Sequence, residues 1–73
     1  MMWMVLDSEN GIVGFYSNRE EAKEVYKDHK IMIQAKDGIE EDDQVILARV
    51  EQYFFADEAD DDPSFFELKE KVY

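Results

Sequence analysis

The 73-residue chain contains no cysteine, which excludes disulfide staples, thiol nucleophiles and zinc–thiolate centres. Proline occurs once, at Pro63, and the three glycines (Gly11, Gly14 and Gly38) are scattered, so no glycine-rich phosphate loop is present. The one histidine, His29, has no serine placed beside it by a recognisable motif, and nucleophilic catalysis is not expected. Long apolar runs are missing too. Met1 to Leu6 is apolar, but Asp7 ends it; with no basic segment ahead of it and no apolar core of about 7–15 residues it does not read as a secretory signal. Nothing approaches the roughly 18 apolar residues of a membrane span. The expected compartment is the cytoplasm. A chain this short is expected to form a single domain, residues 1–73, near the lower limit at which an apolar core alone holds a fold.

Basic residues are the other shortage: 8 against 19 acidic ones, for a net charge of −11. Disorder is not the expected consequence, because 45% of the residues are hydrophobic and 14% aromatic, enough to drive collapse. The excess is also localised. Asp37, Glu40, Glu41, Asp42, Asp43, Glu51, Asp57, Glu58, Asp60, Asp61 and Asp62 lie between positions 37 and 62, opposed only by Arg49. The other 47 residues hold 8 acidic and 7 basic side chains. A small domain pays for such charge in self-repulsion, and an acidic surface repels nucleic acid and anionic lipid alike. Two readings are open: a pair of solvated loops that keep the chain soluble, or an anionic surface aimed at a basic partner.

Local patterns place this charge on a scaffold. Residues 2–7 read as a strand with Met2, Met4 and Leu6 on one face and Trp3 and Val5 on the other. Asn10-Gly11 is a hairpin signal of the type I′ kind, and Ile12–Tyr16 reads as the returning strand. Ser17-Asn18-Arg19-Glu20 has the form of a capping box with Ser17 as the cap. It opens a helix to about His29, with Ala22, Val25, Tyr26 and His29 on one stripe and Lys27, His29 and Lys30 in its last turn. Ile31–Ala35 reads as a third strand, Lys36–Asp43 as a polar connection, and Gln44 to about Ala56 as one long strand. Asp62-Pro63 then resembles an N-cap followed by proline at the first helical position, opening a short helix with Phe65, Leu68 and Val72 on one side. The expected fold class is α+β: a small antiparallel sheet of about four strands, one main helix and a short C-terminal helix, in the order ββαββα.

No cofactor or metal site is expected. Acid–base work needs a desolvated carboxyl, and carboxylates in a run such as Asp60-Asp61-Asp62 are solvated. Neither acidic segment fits a calcium loop: Asp37–Asp43 has its glycine at the second position and Asp57–Asp62 has none. The chain is expected to bind rather than catalyse. Carboxylates two apart along a strand are about 6.6–6.8 Å apart on one face, a spacing comparable in scale to a nucleic-acid backbone. The aromatics add a second kind of surface. Phe54 and Phe55 are strand neighbours and must face opposite ways, and Phe65 and Phe66 cannot share a helical stripe. Tyr53, Phe55 and Phe66 are the aromatic interface candidates, either as a homodimer seam or as an anchor amid the carboxylates; ordinary two-sided packing is the alternative.

A small cysteine-free chain with its charge in Asp37–Asp43 and Asp57–Asp62, beside Tyr53-Phe54-Phe55, resembles the acidic DNA-mimic proteins of phages, and among them the small Bacillus-phage host-takeover inhibitors of the histone-like nucleoid protein HU. The resemblance covers size, charge and layout and rests on no motif. It implies a dimeric protein in the host cytoplasm that occupies the DNA-binding surface of HU. The partner-binding residues, taken from the charge map alone, are the eleven carboxylates named above. The competing expectations are an aromatic-patch adaptor or inhibitor of a host enzyme such as RNA polymerase, and an inhibitor of a nuclease or restriction enzyme.

Overall fold

The computed structural model describes all residues from Met1 to Tyr73. The chain is α+β, with one helix and five strands in two small antiparallel sheets. The elements are β1 (Met2–Asp7), β2 (Gly11–Tyr16), α1 (Arg19–Gln34), β3 (Val45–Val50), β4 (Gln52–Glu58) and β5 (Phe66–Val72). One sheet has the order β2-β1-β3, and β4 pairs only with β5 as a separate hairpin arm. The molecule is drawn out to 50 × 24 × 16 Å.

The β1–β2 turn is built around Asp7. Its Oδ1 accepts from the backbone N–H groups of Glu9 (3.0 Å) and Asn10 (2.6 Å), an Asx-type turn. Gly11 alone takes a positive φ, +69°, so the connection is not the expected type I′ turn, which needs two such residues. It is a longer loop, Ser8–Asn10, closed by a glycine in the left-handed region. The register shifts between Val5 and Leu6, which pair with Gly14 and Ile12 and leave Val13 as the extra residue of a bulge.

Helix α1 differs from expectation at both ends. Asn18, not Ser17, is the N-cap, its Oδ1 accepting from Glu20 N–H at 2.8 Å. The helix also continues through Ile31–Gln34, where a third strand was expected. No Gly, Pro or polar turn separates His29 from Ile31, and the helix stops only at its C-cap Ala35, whose N–H returns to Ile31 O at 3.0 Å. Lys27, His29 and Lys30 therefore lie inside the helix, and its last turn has no basic residue.

The helix covers one face of the three-stranded sheet. Val5 and Ala22 are fully buried between them, and they are the only apolar residues that are. Trp3, on the same face, receives the Arg19 guanidinium 5.5 Å from its ring centre. The opposite face, carrying Met2, Met4 and Leu6 of β1, Ile12 and Phe15 of β2 and Ile46, Ala48 and Val50 of β3, has no second layer over it. One fully buried Val contributes about 1.5–3 kcal/mol, so this core is thin.

The expected long strand breaks at Glu51. Beyond it the chain enters the arm, where Tyr53 stands 4.9 Å from Phe15 of the open face. Tyr53 thus shares a side with Val50, whereas an unbroken strand puts odd and even positions on opposite sides. The expected C-terminal helix is also a strand, β5, paired to β4 from Gln52↔Val72 to Glu58↔Phe66. Asp62 caps a turn instead of a helix: its Oδ1 accepts from Ser64 N–H (3.0 Å) and Ser64 Oγ (2.7 Å), and Phe65 N–H returns to Asp62 O at 3.1 Å. The order is therefore ββαβββ.

Candidate interaction surface

The eleven carboxylates do not form a single row. β3 begins beside the β1–β2 turn, where Ser8 N–H donates to Gln44 O at 3.1 Å. It ends with Val50 paired to Met2, and β4 continues outward from there to Glu58. The connection from α1 to β3 and the tip of the arm accordingly sit at opposite ends of the 50 Å axis. Asp37, Glu40, Glu41, Asp42 and Asp43 lie at one end, Asp57, Glu58, Asp60, Asp61 and Asp62 at the other. Glu51, exposed at the break, stands between them and joins neither.

The proximal cluster has a built frame. Lys36 Nζ donates to both carboxylate oxygens of Asp43, at 2.8 and 2.9 Å, and lies 3.5 Å from Glu9. Asp43 Oδ2 also accepts from Glu40 N–H at 2.8 Å, and Ser8 Oγ meets Asp43 Oδ1 at 3.4 Å and accepts from Gln44 N–H at 3.2 Å. The Glu40 N–H, and next the Lys36 ammonium, hold the Asp43 carboxyl below its ordinary range; Asp43 in turn raises Lys36, against the opposing effect of burial. Asp43, with only 6% of its side chain exposed, is thus a clamp and not a presented charge, which corrects its expected place among partner-facing residues. Asp37, Glu40, Glu41 and Asp42 remain exposed.

The distal cluster is held from β5. Lys69 Nζ reaches Asp60 at 3.1 Å, Asp57 at 3.5 Å and Glu67 at 3.8 Å, and the Asp60 contact is the main cause of its raised pKa. Ala59 N–H donates to Phe65 O at 3.0 Å, closing the tip. Hydrogen bonds from Ser64 lower the Asp62 pKa. All five carboxylates there are exposed.

The aromatic candidates divide. Tyr53 and Phe55 are half-buried in a ladder, with Tyr53 stacked on Phe55 (4.7 Å, 11°), Phe15 tilted against Tyr53, and Lys71 Nζ 5.5 Å over Phe55. Phe66 is 74% exposed. It belongs to an apolar arm face, with Phe54, Ala56, Leu68 and Val72, that sequence reasoning missed. Alternation of Phe66, Leu68 and Val72 is visible once the segment is read with a period of two. An open groove of about 540 Å³ runs between Met4, Ile12 and Phe15 of the open sheet face and the segment Arg49–Tyr53 at the arm's root, so that the charged Arg49 and Glu51 also line it.

His29 is tied into the fold. Its Nδ1 donates to Asp7 Oδ2 at 2.6 Å, joining α1 to the β1–β2 turn. No helix is long and apolar enough to cross a membrane. Compared with models of known protein families, with curated proteins and with solved structures, the chain matches none.

Proposed function

We propose that this protein works by binding: it is a DNA mimic that occupies the nucleic-acid-binding surface of a basic protein and blocks its access to DNA. The observation that carries this is the partition of its carboxylates into two framed clusters at the ends of a 50 Å molecule. That length corresponds to about 15 base pairs of duplex at 3.4 Å per pair. A basic protein that grips phosphates at separated points meets charge of the right sign at both ends, and the Lys36–Asp43 and Lys69–Asp60 contacts limit the disorder that binding has to remove. The histone-like nucleoid protein HU is the first partner to try, on the resemblance given above, in the cytoplasm of a host cell.

The test is displacement of a labelled duplex from HU by the purified protein across a salt series. Competition that weakens steeply with salt, and falls by about tenfold or more when either Glu40, Glu41 and Asp42 or Asp57, Asp60 and Asp61 are changed to their amides, supports the mimic. Undiminished competition with both ends neutralised removes it. A second reading, an adaptor or inhibitor of a host enzyme such as RNA polymerase, is favoured by the exposed Phe54 and Phe66. It predicts salt-resistant capture lost on Phe66→Ala. A nuclease or restriction enzyme as the basic target shares the mimic's electrostatics and is separated from HU by direct binding to each.

A further inference from the structure

Three aromatic rings of this molecule carry a cation of its own chain: Arg19 over Trp3, Lys30 over Tyr26 and Lys71 over Phe55, each 5.5 Å from the ring centre. The other two rings of the ladder, Phe15 and Tyr53, carry none, and both wall the groove at the arm's root. Tyr53 has one side against Phe55 and meets Phe15 at a 47° tilt, so neither ring covers the other, and Phe15 stays 36% exposed. Met4 and Ile12 extend the apolar wall, while Glu51 and Gln52 add polar groups. Glu51 is exposed and belongs to none of the molecule's ion pairs. Arg49 also lines the groove, but it lies opposite Trp3 on the sheet face under α1, and strand alternation sends its side chain to that face. The charge left to the groove is that of Glu51.

We propose that this groove is an arginine site: it receives one arginine side chain of the basic partner, the guanidinium lying on the Phe15 and Tyr53 rings and paired to Glu51, the aliphatic stem along Met4 and Ile12. The inference rests on the DNA-mimic reading and names a side chain that such a partner contributes. Chemistry selects the occupant. Ring faces are negative and attract a cation within about 6 Å. An anion is repelled by Glu51 and by a molecule at −11, and a wholly apolar side chain covers Glu51 without pairing it. Lysine matches the charge but not the geometry, because its ammonium is compact and strongly hydrated. A planar, weakly hydrated guanidinium stacks on a ring and still offers N–H groups sideways to a carboxylate. The groove's volume, about 540 Å³, lies within the roughly 300–1,000 Å³ of small-ligand sites, room for a long side chain and the backbone that carries it. Its place fits the same reading. The groove lies between the two acidic ends, so a basic protein that spans both crosses it. The ends then steer the approach and the groove anchors it, as arginine hot spots near the centre of an interface do.

The site is measured first without a partner and without any variant. N-acetyl-arginine amide titrated into isotope-labelled wild-type protein should move the NMR signals of Phe15, Tyr53 and Met4 and half-saturate at on the order of 1 mM. The corresponding lysine and leucine amides should bind about fivefold more weakly or worse. Phe15→Leu, which keeps an apolar wall and removes a ring, and Glu51→Gln, at an exposed position, should each weaken the arginine probe by about threefold or more. Circular dichroism checks that both variants keep their helix. In the HU displacement assay Phe15→Leu should cost about tenfold with the salt dependence unchanged, since it removes a ring and no charge. Absence of shifts, equal binding of the three amides, or shifts confined to residues outside the groove overturns the proposal. So does undiminished displacement by Phe15→Leu. An arginine probe that binds here while the protein fails to displace DNA from HU keeps the groove as an arginine site and removes the mimic.

Discussion

Replacing Asp7 by alanine is expected to unfold much of the population. Asp7 is the one buried charged residue, 4% exposed, and its carboxylate accepts from Glu9 N–H, Asn10 N–H, Asn10 Nδ2 and His29 Nδ1 at 2.6–3.1 Å. The Asp7→Ala change strands all four donors. Those of Glu9 and Asn10 are near solvent and cost toward the low end of about 1–3 kcal/mol each, while the His29 contact between helix and sheet costs more. A total of about 3–5 kcal/mol follows, the range for losing one partner of a buried pair. A 73-residue chain has about 4–11 kcal/mol of stability in all, and so thin a core puts this one toward the bottom. At about 4–8 °C per kcal/mol, the melting temperature followed by Trp3 fluorescence and circular dichroism should fall by more than about 12 °C. Asp7→Asn keeps an acceptor for the turn and should lose less than half as much. The pH dependence has a definite sign. The Asn10 N–H, then its side chain and His29, outweigh burial and hold the Asp7 carboxyl below its ordinary 3.8. Its contribution is therefore complete above that pH and disappears as pH falls through the lower folded value. Wild type and Asp7→Ala should converge in acid. A variant melting within about 5 °C of wild type at neutral pH refutes the role given to this carboxylate.

Three further outcomes are expected. Asn18→Ala should cost about 1 kcal/mol of stability by denaturant titration while Ser17→Ala costs almost nothing, which separates the two capping assignments; the reverse order returns the cap to Ser17. Gly11→Ala should cost about 1–2 kcal/mol in the same assay, because φ there is +69° and a Cβ strains that backbone even though open space surrounds it; a neutral result means the turn relaxes at no cost. Asp43→Asn should speed amide exchange at Glu40, whose N–H the carboxylate accepts at 2.8 Å, with little effect on α1; unchanged exchange removes Asp43 as the loop's clamp.

Much of the first half of the chain was legible because its signals are local. Alternation in residues 2–7, Gly11 at the turn and the polar start of α1 each involve neighbours a few positions apart. Three elements were misread for one shared reason. Ile31-Met32-Ile33 suits a helix or a buried strand equally, and it continues α1 instead of adding to the free outer edge of β2 or β3. Phe66–Val72 satisfies a period of two as readily as a partial helical stripe, and what settles it is a partner 8 to 20 positions away, from Glu58 opposite Phe66 to Gln52 opposite Val72. The break at Glu51 has no signature at all: no glycine or proline marks it, and it shows only in Tyr53 appearing on the side of Val50. For the candidate site, the positions of the carboxylates were plain, but their division between two ends and the withdrawal of Asp43 into a clamp were not.

Composition and residue order by themselves determined that this chain has no thiol chemistry, that it folds as a small α+β unit around one principal helix, and that nearly all its net charge lies between residues 37 and 62. Those are properties of counts and of near neighbours, and no folding is needed to read them. Only the tertiary structure decided that the charge sits at two ends of a long body, that Lys36 and Lys69 order it, and that the sheet and the arm each keep an apolar face uncovered. Such facts depend on which strand edges remain free after the others have paired, and pairing is a long-range competition that a local pattern does not record.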